Sequence, residues 1–179
     1  EHLWSPEAPL PLPTPGQVDA LFAKAVDPAG KVKGVDPSWI PALRSGWDWV
    51  LVEADGSRRL PLKAPAEHEP ALPPEADLVV AVVGLSCLGR PLGPEVAHRP
   101  ERVSALTGCA LGEPLTWAHL EALARHPDGL FKRVVGPRVI LFNQWDRLDT
   151  HPAPARLATL PADRVLCGAL LPQDAVDAW

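Results

Sequence analysis

The stretches LVVAVVG at Leu78–Gly84 and RVILFN at Arg138–Asn143 decide the fold class. Each is a continuous apolar run, as expected of strands covered on both faces. WDWVLVE at Trp47–Glu53 reads as a further strand and RVLCG at Arg164–Gly168 as a weaker one. Helical segments fill the gaps: Arg99–Leu106 and Thr116–Arg125 before the third run, Ala153–Leu160 before the fourth. This alternation predicts an α/β protein with a three-layer, doubly wound, mainly parallel sheet, in one domain over residues 1–179.

Upstream, EHLWSPEAPLPLPTP at the start is punctuated by proline and reads as an extended lead-in. Gly16–Val26 has Val18, Leu21, Phe22 and Ala25 at helical spacing, and Lys31–Val35 suits a short strand. Asp36-Pro37 is a helix start, with Asp as N-cap, and the helix should stop at Ser45-Gly46. Pro61–Pro74 is a proline-rich connection without periodicity, of a length often found in functional loops.

The chain has 179 residues, 46% of them hydrophobic and 22% charged, enough for a sizeable core. A net charge of -5 argues against a nucleic-acid partner. No apolar run approaches the roughly 20 residues that span a bilayer, so no membrane is expected. The three cysteines, Cys87, Cys109 and Cys167, are far apart and suit reduced thiols in a cytoplasmic protein rather than disulfides or zinc. Twenty-three prolines, seven tryptophans, no Met or Tyr, and Arg in excess of Lys resemble the output of a GC-rich bacterial genome.

Ligands of parallel sheets bind beyond the carboxyl ends of the strands. After the first run come Glu53, Asp55, Gly56, Arg58 and Arg59. The carboxylates suit a magnesium ion, Gly56 a close approach to phosphate, and the arginines its charge. The same residues also suit a plain strand-end turn. After the third run, Asn143-Gln144-Trp145-Asp146 resembles the Asn-Lys-x-Asp motif by which GTPases read guanine, with Gln144 in place of Lys. Asn143 as a strand-end cap and Asp146 as a turn former explain the pattern equally. Gly168 lies in a small-residue loop after the fourth run, suited to a base-pocket wall. Lys63, His68 and Glu69 in LPLKAPAEHEP, and His98 with Arg99 in HRPE, are candidates for metal, acid–base or anion chemistry, or solvated surface groups. A phosphate loop of the form G-x-x-x-x-G-K-[ST] is absent from these residues, so hydrolysis of a nucleotide is not expected of them alone.

WVLVEADGSRRLPLKAPAEHEP (Trp49–Pro70), GKVKGVDPSWI (Gly30–Ile40), VAHRPE (Val96–Glu101), LTG (Leu106–Gly108) and ILFNQWD (Ile140–Asp146) resemble the selenium-dependent hydroxylase accessory proteins, the YqeC-like family. The resemblance implies a P-loop NTPase type of fold. Members begin with a strand, a Gly-Gly-Lys-Thr loop, a helix and a strand ending in threonines. His2-Leu3-Trp4-Ser5-Pro6 resembles the segment directly after those threonines, so the first strand, the phosphate loop and its helix are expected to be lacking here, either because the sequence is a fragment or by natural truncation.

It further implies a role in maturing selenium-dependent molybdenum hydroxylases, with such a hydroxylase or its cofactor-maturation proteins as partners, and Mg with GTP or ATP as cofactor. Glu53-x-x-Gly56 resembles the E-x-x-G of metallochaperone GTPases, whose nucleotide switches a dimer interface, so a homodimer is one expectation. Glu53 and Asp55 would then hold magnesium, Asn143 and Asp146 read the base, and Arg58, Arg59 and Lys63 meet phosphates or an anionic cofactor. A non-catalytic module that holds a partner protein or a molybdopterin-type cofactor through the Pro61–Pro74 loop and the tryptophans outside the predicted strands, Trp4, Trp39, Trp117, Trp145 and Trp179, is the alternative. A hydrolase built on Glu53, Asp55, His68 and His98 is a third. Without the first strand, an open cleft beside Trp47–Glu53, or an association that fills it, is expected.

Overall fold

The computed structural model describes residues 34–170 throughout, with the backbone of five short strands outside them. The chain groups into two compact units: Glu1–Glu53 with Leu72–Glu75, and Ala54–Ala71 with Ala76–Trp179.

In the first unit β1 (His2–Leu3) pairs parallel with β2 (Leu21–Phe22), and β3 (Lys24–Ala25) antiparallel with β4 (Val32–Lys33). The helix expected over Gly16–Val26 meets extended backbone at Leu21–Phe22 and Lys24–Ala25. The remainder of it, like most of the lead-in, lies outside the described residues. The Asp36-Pro37 start is found as read. Asp36 Oδ1 accepts from the Ser38 amide at 2.9 Å and hydroxyl at 2.7 Å, a 3-10 turn covers Pro37–Trp39, and α1 (Ile40–Arg44) follows. Ile40 and Leu43 are its buried residues.

Trp47–Glu53 is not a strand, contrary to its apolar pattern. A strand needs a neighbouring backbone to take up its N–H and C=O groups. Among the described residues no strand pairs with this run, and Trp49 is 83% and Leu51 90% exposed.

The second unit holds β5 (Leu62–Lys63), β6 (Val79–Gly84), β7 (Ala97–His98), α2 (Pro100–Thr107), α3 (Trp117–Arg125), β8 (Arg138–Asn143), α4 (Pro154–Leu157), β9 (Arg164–Ala169) and β10 (Ala175–Ala178). Its main sheet has the order β10-β9-β8-β6. β6, β8 and β9 are parallel, and β10 closes one edge antiparallel. β5 and β7 form a separate parallel pair inside what read as irregular chain.

Both crossovers, β6 to β8 and β8 to β9, move the same way along the sheet. Right-handed connections therefore put α2, α3 and α4 on one face. That face buries Val83, Ile140, Phe142, Val165 and Cys167. Trp117 of α3 meets Phe142 edge-on at 5.2 Å. Arg125 of α3 donates to Thr159 just beyond α4. Each such core side chain contributes about 1.5–3 kcal/mol through burial.

On the opposite face Val80 is 45% and Val82 59% exposed. The α/β class and the parallel sheet are as read. The order β6-β8-β9 shows no reversal of winding among the described strands of this unit, while Val139, beside Val80 on the opposite face, is buried. β6 is accordingly an edge strand there, so the unpaired edge falls on β6 and not, as expected, on a strand at Trp47–Glu53.

Candidate site at the strand ends

Gly84, Asn143 and Gly168 stand side by side in register at the carboxyl ends of the three parallel strands. The Asn143 side chain braces the rim: its Oδ1 accepts from the Gln144 amide at 2.8 Å and the Leu170 amide at 3.1 Å. Gln144 has left-handed backbone, φ 65, and its Oε1 turns back to accept from the Ser86 amide at 3.2 Å. Gln144 therefore caps a neighbouring turn and does not extend outward as a Lys stem would. Trp145 stacks on His151 with ring centroids 4.4 Å apart. Asp146 is exposed, its carboxylate 3.9 Å from Arg147 Nε. Gly168 is buried within β9, not in a loop, because β10 extends the ladder past it.

The Gly84 amide donates to the Pro61 carbonyl at 2.8 Å. A Cβ at Gly84 would stand 2.8 Å from both Gln144 Oε1 and Pro61 Cβ, so only glycine admits this approach. The contact ties the rim to β5, where an ion cluster begins. Lys63 Nζ lies 3.1 Å from Asp55 Oδ2 and 3.0 Å from Glu69 Oε2, and donates to the Gly56 carbonyl at 2.8 Å. Three acceptors saturate an ammonium. Glu69 also receives the Arg99 guanidinium through both oxygens, at 2.7 and 3.1 Å, and the Ala66 amide at 2.9 Å. The Lys63 side chain is 8% and that of Glu69 16% exposed, so these charges interact through little water.

Burial alone would raise the Glu69 carboxyl, but Arg99, the Ala66 amide and Lys63 together hold it at about 2. His98, paired in register with Lys63, is pushed below its ordinary value by burial and then by the charges of Arg99, Arg58 and Lys63.

Two residues that the sequence did not single out anchor this segment. Lys132, buried, donates to the carbonyls of Ala66 at 2.9 Å and Glu67 at 3.2 Å. Arg102 donates to that of Pro65 at 2.8 Å. Their partners lie far off in sequence, so no local pattern marks them.

Asp55, Gly56, Lys63, Glu69, His98 and Arg99 thus come together, with Arg58 within electrostatic reach of His98. Lys63 is already neutralised by the protein, so an anion would have to displace a carboxylate to reach it. Gly56 offers its carbonyl to Lys63. Arg58 and Arg59 are exposed on left-handed backbone, φ 57 and 62. His68 sits on an exposed turn, and Glu69 pairs with cations instead of with it. Glu53 belongs to the first unit. Among the described residues Asp55, His68 and His98 do not converge as metal ligands, which removes the basis of the hydrolase reading. All three cysteines are buried free thiols, as expected.

A family model described as YqeC protein matches residues 13–101. The "Uncharacterized protein YqeC" of Escherichia coli (strain K12) is 46% identical over 132 residues, covering 72% of this chain and 52% of that protein. The chain belongs to the YqeC family. It spans about half the length of this curated relative. The YqeC match takes in the whole ion cluster from Asp55 to Arg99 and ends before Asn143 and Asp146. No solved structure matches the chain. No helix among the described residues is long and apolar enough to cross a membrane.

Proposed function

We propose that this protein binds a magnesium nucleotide at the strand-end rim and serves the maturation of selenium-dependent molybdenum hydroxylases. What supports the binding reading is the Gly84–Asn143–Gly168 row at the strand ends, with the carbonyl of Pro61, two residues before Lys63, against Gly84. The carboxyl ends of parallel strands are where such folds take ligands. Asn143 fixes the loop, while the exposed Asp146 carboxylate is available to accept from a guanine base. Arg58 and Arg59 supply exposed positive charge for phosphates, and the free oxygen of Asp55 suits a magnesium ion or its water. The maturation role rests on the family resemblance.

A thermal-shift scan of the protein expressed from its native gene tests the reading. Mg-GTP raises the unfolding temperature, and Asp146→Ala removes that rise. No shift at millimolar GTP or ATP would overturn it. A second reading, a module that docks a hydroxylase or its maturation proteins without nucleotide, is favoured by the exposed Trp49 and Leu51. Co-purification with a hydroxylase subunit in the absence of nucleotide, lost in Trp49→Ala, would support it.

A further inference from the structure

We propose that Cys109, Glu113 and His119 form a binding site for a divalent metal ion of the zinc class, separate from the strand-end rim. One ligand atom from each lies within 4.8 Å of the others. Tetrahedral zinc, with bonds of about 2.0–2.3 Å, holds its ligands about 3.3–3.8 Å apart, so side-chain adjustment closes the set.

The frame around the three residues is fixed. Gly108 and Gly112, at φ 78 and 83, turn the chain on either side of Cys109. The following stretch of chain is laddered to residues 89–92. Gly112 donates to Leu92 O and Leu92 to Glu113 O, both at 2.9 Å, and Leu115 donates to Arg90 O at 2.9 Å. Thr116 then caps α3, and its amide at 3.2 Å and hydroxyl at 3.3 Å position the His119 ring through Nδ1. The Thr116 amide is the donor to Nδ1, so a metal held by this ring takes the place of that capping bond.

The donor set selects the ion. Thiolate, imidazole and one carboxylate suit zinc and disfavour magnesium or calcium, which need oxygen shells. The Cys109 thiol is buried beside the carbonyls of Glu113 at 3.6 Å and Ala110 at 3.7 Å. Metal binding replaces its proton, which passes to solvent. Glu113 is the exposed member of the set, and an ion would enter from its side.

The test strips the purified protein with a chelator and titrates zinc ions against a chromophoric competitor. Wild type takes one equivalent at micromolar free zinc. Cys109→Ser and His119→Gln each weaken binding by more than the roughly 10–100-fold that loss of an outer partner costs. Cobalt in place of zinc gives a thiolate charge-transfer band that Cys109→Ser abolishes. Should Cys109→Ser unfold by circular dichroism, His119→Gln and Glu113→Gln, on the accessible side, decide the matter. No stoichiometric zinc in wild type, or equal binding by His119→Gln and Glu113→Gln, would overturn the proposal.

Discussion

Replacing Glu69 by Gln removes the carboxylate that Lys63 and Arg99 share. Lys63 keeps Asp55 and the Gly56 carbonyl, whereas Arg99 loses a bidentate partner. Holding the Glu69 carboxyl at about 2 rather than its ordinary 4.5 is worth about 3 kcal/mol. Loss of one member of a fully buried pair costs about 3–5 kcal/mol, and Arg99 here is partly hydrated. Glu69→Gln should therefore destabilise the protein by about 2–3 kcal/mol at pH 7.

The sign of the pH dependence follows from the lowered value. The ionised carboxylate favours the folded state, so its contribution is complete above pH 4.5 and fades as pH falls toward 2. The gap between wild type and variant should narrow by about 2 kcal/mol at pH 3. Urea unfolding at both pH values measures it. A gap below about 0.5 kcal/mol at pH 7, within the ordinary range of surface substitutions, or one unchanged at pH 3, would mean that the Glu69 carboxylate does not stabilise the fold through Lys63 and Arg99.

The remaining predictions concern the same rim and core. His98, followed by NMR, should titrate below its ordinary 6.5, and Arg58→Ala should move it upward by removing one of the charges that hold it down. Lys132→Met should cost about 2–4 kcal/mol in chemical denaturation by leaving the Ala66 and Glu67 carbonyls without their donor. Gly84→Ala should cost about 1–3 kcal/mol and lower the melting temperature, because its methyl would meet Pro61 and Gln144. No cysteine should react quickly with a thiol reagent in the native protein: all three are buried, and burial pushes the Cys87 thiol up to about 12. All three should react in urea.

β8 was readable to the residue, and β6 and β9 nearly so, because continuous β-rich runs bounded by polar residues have few alternative conformations. Asp36 marked its helix start through capping chemistry that is local in sequence. Trp47–Glu53 has equal strand character, yet pairing is a property of two segments, and its pattern carries no information about a partner. β5 is invisible for the converse reason: two residues form a strand only because Ala97–His98 lies alongside.

At the site, the charged residues of Asp55–Glu69 and His98–Arg99 were legible as candidates, since charges flanking prolines and glycines are conspicuous. Their pairing was not. Glu69 sits beside His68 in sequence but binds cations from β5 and the start of α2, which only folding brings near. Gln144, by position a base-packing residue, proved to cap a turn, because its left-handed backbone aims the side chain back at Ser86.

Competition between Mg-GTP and Mg-ATP for the protein expressed from its native gene, with and without Asp146→Ala, separates guanine recognition from phosphate binding alone. GTP should bind, and the substitution should weaken it about ten- to a hundredfold while leaving ATP unchanged, as loss of hydrogen bonds to a charged acceptor implies. Binding of neither nucleotide, or GTP binding indifferent to Asp146, would contradict that recognition.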